Sequence, residues 1–216
     1  METNMNIHQH DSREEHVESL IQQATKLLRE ENLIEAVTAF QEIVSIQKQS
    51  SSIPTSPSSH EQKRPYSLCG NLAAARTLNN VGVIYKRLKQ FDEAMTAYTE
   101  SLRIRQILLG RDHPDLIATL SNIGSIHVQN RDFDNAMKYF LEAKRVAIAT
   151  MGENNISIAN ILNNIGYLHD LKGDSNQAVE DFETALRIYI MAGFLEIDPV
   201  VEGTIRNIQQ VLSRKR

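Results

Sequence analysis

Three glycines, Gly82, Gly124 and Gly166, stand 42 residues apart, and each closes a near-identical phrase: Leu78-Asn79-Asn80-Val81-Gly82, Leu120-Ser121-Asn122-Ile123-Gly124 and Leu162-Asn163-Asn164-Ile165-Gly166. A period of this length belongs to stacked helical hairpins, because one hairpin cannot bury its apolar face alone and must lean on its neighbours. The repeat therefore calls for an elongated all-α array rather than one or two compact domains.

The chain has 216 residues, 41% of them hydrophobic, with 9 Gly, 5 Pro and no Trp, as suits such an array. A formal net charge of −4 provides no positive field for a phosphate backbone, which argues against nucleic acid as the main partner. No run approaches the ~18 apolar residues of a membrane span, and Met1–Glu15 lacks the apolar core of a secretion signal. The expectation is a soluble, cytoplasmic protein. Its lone cysteine, Cys69, excludes an internal disulfide and reads as a small hydrophobe near a helix start.

Apolar spacing of three and four marks the helices. Ser12 and Glu15 form a capping box before a first helix carrying Val17, Leu20, Ile21, Ala24, Leu27 and Leu28. A second helix follows from Leu33. Its phrase Glu35-Ala36-Val37-Thr38-Ala39-Phe40 returns as Glu93-Ala94-Met95-Thr96-Ala97-Tyr98, so residues 13–49 are also a repeat, offset by 58 rather than 42. The surplus falls in the Ser/Pro-rich stretch 50–66, read as a disordered loop in which Ser56-Pro57 is a candidate phosphosite. Later helices are expected near 70–89, 91–109, 114–130, 133–150, 156–172 and 175–192, with Asp112 and Pro114, then Asn154 or Asn155, at helix starts. The turns fall at Lys89-Gln90, Asn130-Arg131 and Lys172-Gly173, with Asp92, Glu93, Asp132 and Asp134 entering at helix N-termini. Asp198-Pro199 opens a last helix whose polar remaining faces suit a terminal lid.

These registers resemble the tetratricopeptide repeat, in the 42-residue form found in kinesin light chain. Ala24, Gly82, Gly124 and Gly166 fill its small crossing position. Twelve residues on come Ala36, Ala94, Ala136 and Ala178, and four later the aromatics Phe40, Tyr98, Phe140 and Phe182; Ser101, Ala143 and Ala185 supply the last small position. Gly110-Arg111-Asp112-His113-Pro114 also looks like the loop between kinesin light chain repeats. Departures are Ile43 at a small position and Ser175 at an aromatic one. HEAT and armadillo arrays share the period but not these registers. The resemblance implies an α-solenoid, a right-handed superhelix of four hairpins plus a capping helix. The divisions are a disordered 1–12, repeats at 13–49, 67–112, 113–154 and 155–196, and a capping helix with basic tail at 197–216.

In this family the first helix of each pair lines the inner surface, which makes its non-core residues the candidate peptide-binding site. Asn79 and Asn80, Ser121 and Asn122, and Asn163 and Asn164 lie there. A carboxamide both donates and accepts, so it can pair with the main chain of an extended peptide whatever that peptide's side chains, the alternative being that these asparagines bond to neighbouring helices or stay solvated. Arg76, Val83, Lys86, Arg87, Ser125, Gln129, Asn160 and Tyr167 surround this asparagine ladder. The cations on the helix ending near Lys89, with no acid, read either as a preference for an acidic segment there or as a solvated basic face. Ile21 and Thr25 stand where relatives that clasp a C-terminal carboxylate need lysines, which disfavours that activity.

His127 and His169 recur at the register of Tyr85 and read as half-buried interface residues, with no third ligand for a metal. Phosphate loops, nucleophile elbows and paired carboxylates are missing from the sequence. The expected function is a non-catalytic adaptor, without cofactor or metal, that binds a protein or peptide in its groove. A monomer is expected. The alternatives are a self-associating scaffold and, further off, an enzyme with an unrecognised pocket.

Overall fold

The computed structural model describes residues 16–17, 19–24, 26–27, 30, 32–49 and 65–214. Their regular structure is entirely helical: α1, described at 16–17, 19–24 and 26–27, then α2 (Leu33–Gln49), α3 (Pro65–Arg87), α4 (Phe91–Leu109), α5 (Leu116–Gln129), α6 (Phe133–Met151), α7 (Ile156–Lys172), α8 (Ser175–Met191) and α9 (Pro199–Ser213). The chain is an all-α solenoid of helical hairpins. Its helices divide into two compact units, Met1–Leu108 and Leu109–Arg216. The Ser12–Glu15 capping box, residues 51–64 with Ser56-Pro57, and the side chain of Cys69 lie outside what is described.

Three of the hairpins share one close contact. A Cβ added at Gly82 would come within 2.6 Å of the Tyr98 ring, at Gly124 within 2.6 Å of Phe140, and at Gly166 within 3.0 Å of Phe182. At these three crossings the approach leaves no room for a Cβ, so glycine lets the second helix bring its fully buried aromatic against the first helix's backbone. In the first pair Ala24 and Phe40 take these places, and the wider Ile43 is buried with them in a core shared with Val81, Ile84 and Ala97. The small register is used differently in the next pair, where buried Ser101 donates its hydroxyl to the Ala75 carbonyl at 2.6 Å.

The turns inside pairs also repeat. Lys89, Arg131 and Gly173 all have positive φ, between 58° and 85°. The following residues, Gln90, Asp132 and Asp174, donate their backbone N–H to the carbonyls of Tyr85, His127 and His169 at 2.9 Å, which ends each first helix in a left-handed cap. Asp132 and Asp174 then cap α6 and α8 through the N–H groups of Asn135 and Gln177.

Two boundaries differ from the sequence-based expectation. Helix α3 begins at Pro65, inside the segment read as loop, because a proline in the first turn has no N–H to lose. Helix α5 begins at Leu116 rather than Pro114. His113 and Pro114 instead form a turn whose carbonyls accept from Leu116 and Ile117 at 3.0 and 3.1 Å, and Asp112 pairs with Arg145 at 2.7 Å rather than capping. For the next first helix it is Asn155 that caps, accepting from Ser157 N–H at 2.8 Å.

Helix α9 packs on α8 and α7 as the first helix of a further pair would. Buried Val201, Thr204 and Val211 hold it there, with Ile208 against Ala178 and Phe182. Yet the registers that bury Ile161, Ile165 and Leu168 in α7 carry Gly203, Asn207 and Gln210 in α9. That helix therefore lacks the aliphatics a following helix would cover.

Gly124→Ala should cost about 1–2 kcal/mol, the overpacking against Phe140 outweighing the ~1 kcal/mol gained in helix propensity. Gly203→Ala, with nothing within 4 Å of the new Cβ, should gain about 1 kcal/mol. Urea denaturation of both variants checks the pair. Tyr98 carries the one buried side-chain polar atom among the described residues without a hydrogen-bond partner, its hydroxyl, and burial raises its pKa. Tyr98→Phe should accordingly raise stability by about 1 kcal/mol, read as a higher melting temperature.

Candidate functional site

Helical geometry brings residues at i, i+4, i+7 and i+11 onto one face. On α3 these are Arg76, Asn80, Val83 and Arg87, and all four are exposed. The equivalent stripe is Ala118, Asn122, Ser125 and Gln129 on α5, and Asn160, Asn164, Tyr167 and Leu171 on α7. It runs opposite the glycine register, so the contacts that close each hairpin leave it facing away from the second helix. In the second unit α5 packs on α7 and α7 on α9, which sets their stripes side by side.

The carboxamides differ in what they already bind. Asn80, exposed, and Asn164, half-buried, make no side-chain hydrogen bond to a described residue, whereas Asn79 and Asn122 are half-buried with internal partners. Asn160 accepts from the Tyr189 hydroxyl at 2.6 Å, leaving its amide N–H groups for other partners; burial pushes that phenol up to about 12. Asn163 is turned toward the capping helix, where Oδ1 accepts from Asn207 Nδ2 at 3.5 Å and lies 3.5 Å from Thr204 Oγ1, whose hydroxyl donates to the Val200 carbonyl at 2.7 Å. Ser121 lies at the same register, half-buried, and its carbonyl accepts the Ser125 hydroxyl at 3.0 Å. Tyr167 is 45% exposed and Val83 38%. Lys86 flanks the α3 stripe, half-buried.

His127 and His169 are half-buried at helix contacts. His127 Nδ1 lies 3.0 Å from Asp132 Oδ2 and its ring stacks on Tyr139 at 5.3 Å between centroids. His169 Nδ1 lies 2.7 Å from Asp181 Oδ2, across the α7–α8 contact. No group of three metal-capable side chains forms among the described residues. No described helix is long and apolar enough to cross a membrane.

Register carries the stripe further than the sequence-based list of candidates. Gln22 on α1, exposed, stands at the place of Asn80 once the offset of 58 is applied. Glu202, Arg206, Gln209 and Ser213 on α9 are the equivalents of Asn160, Asn164, Tyr167 and Leu171, all exposed, with Arg206 held to Glu202 at 2.8 Å. The same two offsets could have found both sets. Two surface hollows lie on second helices: one runs along Asp134, Met137, Lys138, Leu141, Glu142 and Arg145 of α6, another along Glu183, Leu186, Arg187, Ile190 and Met191 of α8.

Comparison with known proteins agrees with this geometry. The model of the tetratricopeptide repeat family matches residues 73–143 and 115–191, together more than half of the chain. The chain belongs to the tetratricopeptide repeat family. Its general character is accordingly that of a protein–protein interaction module. No curated protein matches it in sequence. Among solved structures it is similar to BtubC (BKLC) from P. vanneervenii, at 20% identity and a TM-score of 0.74, over 99% of this chain and 78% of that one. It is also similar to the apo form of RapI, at 15% identity and a TM-score of 0.70 over 93% of this chain, spanning 64% of RapI. A putative kinesin light chain from Podosopora anserina with nearly identical TPR-like repeats aligns at 16% identity and a TM-score of 0.62, over 93% of this chain and 87% of that one. At these identities the likeness is one of fold.

Asp181 generates a pH-dependent expectation. Burial raises its pKa, while the His169 hydrogen bond and charge, and Lys144, oppose the rise. A carboxyl raised in the folded state costs stability when ionised. That cost is absent below the unfolded value near pH 4, grows as pH climbs through the raised value, and is complete above it. Asp181→Asn removes it and leaves His169 an acceptor, so the variant should be the more stable form at about pH 7 and converge with the native chain near pH 4. Urea midpoints across that range check this. A variant less stable at neutral pH would show that charge pairing with His169 outweighs burial.

Proposed function

We propose that this protein is a non-catalytic, cytoplasmic adaptor, acting as a monomer, that holds an extended peptide segment of a partner protein against the exposed stripes of its first helices. The observation that carries the reading is the return of asparagine at one register of the first helices, Asn80 within the first unit and Asn122 and Asn164 on neighbouring stripes of the second, with Asn80 and Asn164 making no side-chain hydrogen bond to a described residue. Asparagine is a mediocre helix former, so helical preference does not account for its return at this position. A carboxamide offers N–H and C=O together, the pair a peptide main chain presents.

Val83, Tyr167 and the flanking Arg76, Arg87, Ser125, Gln129 and Asn160 would then supply side-chain selectivity. Asn79, Ser121 and Asn163 would support from behind, at the half-buried register next to the stripe. The working repeats are 13–49, 67–112, 113–154 and 155–196, closed by the helix of 197–216. No cofactor or metal enters the mechanism.

The test is selection of peptides from a displayed random library on the full chain, followed by affinity measurement. Asn80→Ala, Asn122→Ala and Asn164→Ala together should weaken the selected peptides at least roughly tenfold, the effect of losing more than one hydrogen bond. Circular dichroism and melting should stay near those of the native chain. Undiminished affinity in the folded triple variant would reject main-chain clamping.

A further inference from the structure

Lys86 sits in the last turn of α3, half-buried beside the exposed stripe. Burial lowers its pKa, and no opposing influence offsets the shift. No described residue pairs with or hydrogen-bonds to its ammonium. Several other charges withdrawn from solvent have close partners among the described residues: half-buried Asp170 meets Arg214 at 2.9 Å, buried Asp181 meets His169 at 2.7 Å, and half-buried Asp132 meets His127 at 3.0 Å. A desolvated cation lacking a counter-ion opposes folding. Such groups concentrate where a ligand supplies the missing charge.

The surrounding sequence sets the sign and place. Helix α3 contains Arg76, Lys86 and Arg87 and no Asp or Glu. Arg76 is exposed, with no ion pair to a described residue. The stripes of α5 and α7 carry no charged side chain, and on α9 the charge of Arg206 is matched by Glu202. Among the described stripes of α3, α5, α7 and α9, unbalanced positive charge is therefore found on α3.

We propose that α3 recognises an acidic side chain of the bound peptide, with Lys86 as the residue that selects it and Arg76 extending the positive field. This rests on the peptide-binding reading above and specifies the partner's chemistry at one point of it. Asn80 holds the main chain, exposed Val83 lies between it and Lys86 in sequence, and the carboxylate replaces the solvation the half-buried ammonium has lost.

The experiment uses the random-peptide library on the full chain. Selected peptides should be enriched in Asp and Glu over the input, and selection on Lys86→Gln should erase the enrichment. A recovered acidic peptide and its Gln/Asn counterpart are then titrated against both proteins. Lys86→Gln should weaken the acidic peptide about fivefold and leave the amide peptide unchanged, a coupling of the size expected for one partly desolvated ion pair. The variant should melt no lower than the native chain, since it removes a charge that burial disfavours. Equal weakening of both peptides, or acidic enrichment that survives Lys86→Gln, overturns the assignment. Peptides without acidic enrichment that still depend on Asn80 would overturn it and leave the adaptor reading standing. A library yielding no binder would remove both. A single-stranded oligonucleotide bound with the same dependence on Lys86 would show a general anion site instead of an acidic peptide site.

Discussion

The contact between a glycine backbone and an aromatic ring governs this chain. Gly82 against Tyr98, Gly124 against Phe140 and Gly166 against Phe182 set how closely two helices of a pair approach, because a methyl group at any of the three would fall within 3.0 Å of the ring. With that approach fixed, the alanines twelve residues on, Ala94, Ala136 and Ala178, are fully buried. The left-handed caps at Lys89, Arg131 and Gly173 then turn the chain in the same place each time. Two of these three residues are not glycine and tolerate a conformation that costs L-residues about 1–2 kcal/mol, so the cap is imposed by the packing on either side of it.

The same constraint decides what is left outside. Once one side of each first helix is committed to the aromatic, the rotation of the helix is settled and its opposite stripe is determined to the residue. Asn80, Asn122 and Asn164 owe their common placement to this rotation. The chemistry of the stripe is then free to vary without disturbing the fold, and it does so: cationic on α3, uncharged on α5 and α7, charge-balanced on α9.

Much of this was legible before any coordinates. The spacing of Gly82, Gly124 and Gly166 located the crossings, and the boundaries of α4, α7 and α8 follow the apolar pattern closely because Asp174, Asn155 and the left-handed caps punctuate them. Pattern failed at Pro65 and Pro114, where proline is compatible with both a turn and a first helical turn and only tertiary contact decides. For the candidate site, the register of the asparagines was readable but their occupancy was not. That Asn163 is spent on Asn207, or Asn160 on Tyr189, depends on partners more than 25 residues away. Gln22 is reached only by the offset of 58, and Arg206 lies one 42-residue step past Asn164 where the repeated phrase itself is lost. The basic character of α3 around Lys86 was readable, whereas the burial of Lys86 with no counter-ion among the described residues is a property of the packed helix.

Helix α9 reuses the docking side of a first helix while carrying Gly203, Asn207 and Gln210 where α7 carries Ile161, Ile165 and Leu168. Anyone lengthening this scaffold by grafting another hairpin onto its C-terminal end would thus find a joint with nothing oily to grip. New modules belong upstream of residue 199, between Met191 and the lid, where the lid's own adhesive side can seal whichever module comes last.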